Sequence, residues 1–276
     1  MEMNTNHEIS ANLSVDNRSY FKHNFGEYSL EARILNNEKG EKPWVFSVHG
    51  ARSDYAKSDA ITVGLQKRGC SILGFNMSGH NDASKISIEQ TTLGNNIKEA
   101  EAFFSYLNPK TKKKIIAYSL GATPALKVLE THIDEVDRVV LVGPGIYSTQ
   151  AYDKHFGEEF RSAISRPFSY RENEVIAILE AYKGKLLLIK GEYDGLDPVT
   201  HGKPIGTSAG EVEIGNQRYY SPIPKEVIEM IYNAVPSDRR KMVVINGCDH
   251  AVAPWIHDHP NEGKSLLDEM ALFLNG

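Results

Sequence analysis

What is scarce in this sequence excludes several kinds of protein. Only two cysteines, Cys70 and Cys248, occur in 276 residues, and they lie far apart. There is therefore neither a disulfide framework nor a paired CxxC knuckle for a metal. No apolar run approaches the ~20 residues that a membrane span needs. The stretch MEMNTNHEISANLSVDN is polar and lacks the apolar centre of a secretory leader, so a soluble, cytoplasmic protein is expected. Neither sign of charge dominates: 31 Lys and Arg stand against 36 Asp and Glu, for a net charge of −5. KTKKK (Lys110 to Lys114) reads as a solvated turn before a strand, and nucleic-acid binding is not expected. Repeats and low-complexity linkers are missing too. What remains, 41% hydrophobic and 24% charged, is a globular composition with room for one large α/β domain or two small ones.

The order of patterns favours α/β. YSLEARIL (Tyr28 to Leu35) alternates as a half-buried strand does, and NNEKGEK follows as a turn. Then come short runs rich in Val, Ile and Leu: PWVFSVHG, CSILGFNMSG, KIIAYS, RVVLVGPG, KLLLIKGEYD and KMVVINGCDH. Each stops at Gly or a polar residue, as strands buried on both faces of a mostly parallel sheet do. Helical patterns separate them. One starts at an Asp54 cap and ends at Gly69; one places Leu93, Ile97, Ala100 and Phe104 at helical spacing; one follows Ser119; one begins at Pro224; and one closes the sequence. This alternation predicts a doubly wound sheet, whose ligand sits beyond the carboxyl ends of the strands. Two segments interrupt it. Residues 146–184 read as a small helical cap, and residues 195–221 as a Gly- and Pro-rich inserted loop with a hairpin turning at Gly215–Asn216.

The polar residues at the run ends belong together on this reading. In AYSLG, Ser119 stands between a strand and a helix. A sharp strand-to-helix turn would lift its side chain clear of the backbone, and the N–H of Leu120, at a helix N-terminus, could stabilise an oxyanion. A serine there could equally cap the helix that follows. A serine nucleophile needs a base, and the base an orienting acid. Asp194 and His250 each stand just past an apolar run, so both would emerge at the same sheet edge as Ser119.

AYSLG resembles the G-x-S-x-G nucleophile elbow of the α/β-hydrolase superfamily, with Ala117 in place of the first glycine. The resemblance runs from about Trp44 to the end of the sequence, and the order Ser, acid, His is also that of the superfamily. It implies an α/β-hydrolase fold with a mostly parallel sheet of about eight strands. It also implies a serine hydrolase acting on an ester, thioester or amide, in which Ser119 attacks, His250 takes its proton and Asp194 orients His250. FSVHGARSD resembles the HG-x loop, which makes the Ala51 N–H the second oxyanion donor; His49 there is a packing residue. GFNMSGHNDAS resembles a structural stretch after the fourth strand, with Asn76 and Asn81 replacing the usual acid and glycine. The loop at 195–221 interrupts the acid motif and leaves Asp197 as a rival to Asp194. The expected partner is a small acyl substrate, with no cofactor. CDHAVAPWIHDHP holds three histidines but matches no closed zinc spacing, so no metal is expected. Tyr147, Tyr152, Phe156, Phe160, Phe168 and Tyr170 would either line a pocket or hold the cap in place. A non-catalytic binding protein on the same fold, or a triad-bearing acyltransferase or lyase, stays open as a competing reading.

Overall fold

The structure, a computed structural model, describes residues 17–276; the polar stretch read above for a missing leader lies almost wholly outside the described residues. The centre is an eight-stranded sheet. Its strands are β1 (Arg18–Asn24), β2 (Ser29–Leu35), β3 (Val45–Val48), β4 (Ile72–Phe75), β5 (Lys113–Tyr118), β6 (Val136–Val142), β7 (Lys185–Gly191) and β10 (Arg240–Ile245). Two more strands, β8 (Gly210–Ile214) and β9 (Gln217–Ser221), form a separate antiparallel hairpin joined at Gly215–Asn216. In the large sheet the order is β1-β2-β4-β3-β5-β6-β7-β10. The pairs β1–β2 and β2–β4 are antiparallel and all the others parallel.

The apolar runs lack alternation because both of their faces are covered. On β5, Ile115 and Ala117 enter one core while Ile116 enters the other; on β7, Leu186 and Leu188 oppose Leu187 and Ile189. The first core is closed by α2 (Leu93–Phe104), α3 (Ala122–Thr131), α5 (Val175–Ala181) and α6 (Lys225–Ala234). The second is closed by α1 (Asp59–Gln66), α7 (Val252–Asp258) and α8 (Pro260–Asn275). Helix ends follow local chemistry. The Thr92 hydroxyl accepts from the Asn95 N–H at 3.1 Å and starts α2, and Pro260 opens α8, where its missing N–H costs nothing.

Strand order places the site. From β3 the chain turns to β4 on one side, and it returns to β5 on the other side of β3. The carboxyl ends of β3 and β5 therefore flank the point where the winding reverses, the crevice in which such sheets bind ligands. Residues 146–184 hold a helical turn at Thr149–Ala151, α4 (Glu158–Ser165), a second turn at Ser169–Arg171, and α5. They are tied to the start of α2, with the Gly94 N–H donating to Tyr152 O at 2.8 Å and the Phe156 N–H to Thr91 O at 3.1 Å. α5 itself packs on α3 and α6, in the helix layer over the first core.

Candidate active site

Ser119 follows directly on β5 and has φ of 49°, left-handed backbone that a residue with a Cβ rarely adopts. Tyr118 before it is extended and Ala122 after it is helical, so the chain reverses direction within three residues. The turn lies against the end of β3. A Cβ on Gly121 would stand 2.3 Å from His49 O and 2.6 Å from Val48 O, so only glycine fits. Gly50 also packs on the turn, less tightly: a Cβ there would be 3.1 Å from Ser119 Cβ. Ala117, which stands where the elbow motif has glycine, points into the first core and is fully buried, so its methyl group costs no room at the turn.

Three side chains meet at this turn. His250 Nε2 lies 2.9 Å from Ser119 Oγ, and His250 Nδ1 lies 2.7 Å from Asp194 Oδ2. An ionised carboxylate only accepts, so Nδ1 carries the ring proton and Nε2 is left as acceptor for the serine hydroxyl. Asp194 is fully buried, and its other oxygen accepts from the Gly195 N–H at 3.0 Å. Lys190, on β7, donates from Nζ to the Asp194 carbonyl and fixes the turn that carries the acid. Asp197, the rival acid, is occupied elsewhere: its Oδ1 accepts from the Val199 N–H at 3.0 Å and its Oδ2 lies 3.9 Å from Lys225 Nζ.

Several participants were not legible in the sequence. Gly143, just past β6, has φ of 51°, and a Cβ there would stand 3.0 Å from His250 Nδ1 and 3.1 Å from Asp194 Oδ2. A Cβ on Gly191 would meet Asp249 O at 2.1 Å. The signal was glycine at the end of an apolar run, which also marks any ordinary strand end. The inserted hairpin is the other participant. The His250 N–H donates to Tyr220 O at 3.1 Å, and the Tyr220 N–H donates to Asp249 Oδ2 at 2.9 Å. The Tyr220 ring stands edge-on to the His250 ring at 5.9 Å, so the hairpin braces the loop that carries His250.

The Leu120 N–H lies in the first turn of the helical segment Ser119–Gly121, where N–H groups have no intrahelical acceptor. Ala51 lies just past β3, exposed, in the lining of the same cavity as Ser119. His49 is buried beneath. Its Nδ1 donates to Gly50 O at 2.7 Å and its Nε2 accepts from the Met77 N–H at 2.9 Å. Burial, then the neighbouring His80, pulls its pKa down to about 3, so it stays neutral and acts as a packing residue. The cavity, about 420 Å³, opens between the loop after β3 and the start of α7. None of Tyr147, Tyr152, Phe156, Phe160, Phe168 and Tyr170 lines it; Phe156 and Phe160 pack edge to face at 4.7 Å and are buried. His257 and His259 do not line the cavity either. His257 lies at the end of α7, and His259 stacks on Trp255 at 4.5 Å. Among the described residues no group of three or more His, Cys, Asp or Glu side chains is arranged to hold a metal ion, and no helix is long and apolar enough to cross a membrane.

This sheet order, with a left-handed serine after its fifth strand, is the architecture of the α/β hydrolases. Comparison with known proteins agrees. The sequence profile of the family described as serine aminopeptidase, S33, matches residues 40–171, just under half of the chain. Among solved structures, the thioesterase domain from the curacin biosynthetic pathway is similar over 91% of this chain and 98% of its own, at 13% identity and a TM-score of 0.59. Est1E from Butyrivibrio proteoclasticus, solved with ferulic acid bound, is similar over 92% and 98%, at 14% identity and a TM-score of 0.62. A thermophilic esterase from Thermogutta terrifontis is similar over 91% and 97%, at 14% identity and a TM-score of 0.59. No curated protein matches. The chain has the α/β-hydrolase fold.

Proposed function

We propose that the protein is a serine hydrolase that cleaves an ester, thioester or amide through an acyl-enzyme. Ser119 is the nucleophile, His250 the general base and then acid, and Asp194 the group that orients His250 and stabilises its protonated form. The observation that carries this reading is the unbroken hydrogen-bond chain from Ser119 Oγ through His250 to the buried Asp194, at 2.9 and 2.7 Å, on a serine held in left-handed backbone. An ordinary helix-capping serine needs neither the strain nor the imidazole.

In the first half-reaction, Oγ attacks the acyl carbon as its proton passes to Nε2. The oxyanion is met by the Ala51 and Leu120 N–H groups; losing one such donor costs about 3 kcal/mol of transition-state stabilisation. The protonated imidazole then gives its proton to the departing alcohol, thiol or amine. Water repeats the cycle on the acyl-enzyme, and free acid and Ser119 are restored. Asp194 rather than Asp197 takes the acid role because it alone reaches Nδ1. Turnover of p-nitrophenyl esters, acyl thioesters and aminoacyl amides tests the reading. At least one class should be hydrolysed by wild type, and His250→Ala should lower that rate about 10⁴-fold while His257→Ala leaves it within twofold. Equal activity in wild type and His250→Ala would refute it.

A further inference from the structure

The cavity beside Ser119 carries charge that the reaction chemistry does not use. Arg52 and Lys57 are in its lining, and no Asp or Glu is. Among the described residues neither cation forms an ion pair. Of the carboxylates next in sequence to lining residues, Asp59 is paired with Arg33, and Asp54 and Asp249 are turned to backbone. Asp54 Oδ1 accepts from the Ala56 and Lys57 N–H groups at 2.8 and 2.9 Å, and Asp249 accepts from those of Tyr220 and Ala251 at 2.9 and 2.8 Å. In a chain of net charge −5, two unpaired cations at the mouth of this one cavity run against the overall sign.

The Arg52 backbone and the Lys57 ammonium are held in place. Arg52 has left-handed backbone with φ of 51°. Its N–H donates to His80 Nδ1 at 3.3 Å, and its carbonyl accepts from Lys57 Nζ at 3.1 Å. His80 is fixed in turn by Asn96 Oδ1 at 2.9 Å, and its burial keeps it neutral, so Nδ1 remains an acceptor. The buried part of the lining includes the apolar Val142 and Val252, with Ala253 and Pro254 beside them. An exposed cationic rim beside a buried apolar patch suits a ligand with an apolar middle and a charged end, and the fixed backbone of Arg52 and the tethered Lys57 ammonium reduce the ordering that binding must impose.

We infer that the substrate of this site carries an anionic group, a carboxylate or a phosphate, that seats on Arg52 and Lys57 while its scissile carbonyl lies at Ser119. The inference rests on the serine-hydrolase reading for the reaction, but not for the binding of the anion.

Two matched pairs of substrates separate the sources of charge. p-Nitrophenyl hydrogen glutarate against its methyl ester puts the carboxylate on the acyl side. S-butyryl-phosphopantetheine against S-butyryl-pantetheine puts a phosphate on the leaving group. In one pair wild type should favour the charged member roughly tenfold in kcat/KM. The combined Arg52→Gln and Lys57→Gln variant should bring that ratio to about one, and added salt should compress it in wild type. Turnover with ratios at or below one in both pairs, or a preference that survives in the double variant, would overturn the inference and leave the hydrolase reading intact. Calorimetric binding to Ser119→Ala decides the case without turnover, using glutarate monomethyl ester against the dimethyl ester and phosphopantetheine against pantetheine. If wild type hydrolyses nothing yet this variant prefers a charged ligand, the anion site stands and the hydrolase reading falls; if it prefers neither, both fall.

Discussion

Ser119 is set apart by its backbone as much as by its hydroxyl, and the glycines around it are the reason. Gly143 is the sharpest case, because a single methyl group there would press on both His250 and Asp194. Gly143→Ala should lower kcat/KM about tenfold or more, while the left-handed backbone costs only about 1 kcal/mol of stability. Activity assays alongside thermal melts check this; wild-type activity in a fully folded variant would show that the glycine has no part in placing the pair. The two acids separate in the same way. Asp194→Asn should cost about 10³- to 10⁴-fold in kcat by spoiling the tautomer of His250, whereas Asp197→Asn should stay within about threefold. Ser119, Asp194 and His250 were legible in the sequence because each stands where an apolar run stops. Gly143, His80 and Asp249 were not, because their roles arise from segments that meet only in the fold.

Among the elements, the hairpin β8–β9 was legible as a hairpin but not as a brace. A two-residue turn at Gly215–Asn216 between alternating residues gives away the pairing; nothing in those residues says that the second strand will dock on Asp249 and His250. We propose that residues 195–221 shape the acyl site by bracing the loop that carries His250. Tyr220→Pro removes the N–H that holds Asp249 and should lower kcat about tenfold, whereas Tyr220→Phe keeps the ring on His250 and the N–H and should stay within about twofold. Equal kinetics for both variants would leave the hairpin as a surface insertion. Helix boundaries were less legible. The helix expected from Asp54 to Gly69 opens instead as a tight turn, Tyr55–Ser58, because the Ser58 hydroxyl bonds back to Tyr55 O at 2.9 Å and α1 starts only at Asp59. The stretch around His257 and His259 forms α7 and then breaks before Pro260, whose ring disfavours helical backbone in the residue before it.

For the molecule as a whole, fold class was the most legible feature: runs of Val, Ile and Leu between helical patterns leave few solutions other than a sheet covered on both faces. Strand order was not, and strand order is what brings the loop after β3 against the elbow after β5. The His49 imidazole, buried at that junction, ties global stability to acid. Its pKa is near 3 in the fold and about 6.5 in the unfolded chain, so below pH 6.5 the unfolded state binds the extra proton. Stability from this residue is complete above pH 6.5 and is lost as pH falls toward 3, by about 1.4 kcal/mol at pH 5.5. Urea unfolding at pH 7.5 and 5.5 should show that loss in wild type and less of it in His49→Gln; equal losses would place the acid sensitivity elsewhere. All of this converges on one serine. Wild type treated with a fluorophosphonate and digested should give a single covalent adduct on the peptide that holds Ser119, and folded Ser119→Ala should give none. An unlabelled wild type, or labelling that persists at the same stoichiometry in Ser119→Ala, would contradict the assignment of Ser119 as nucleophile.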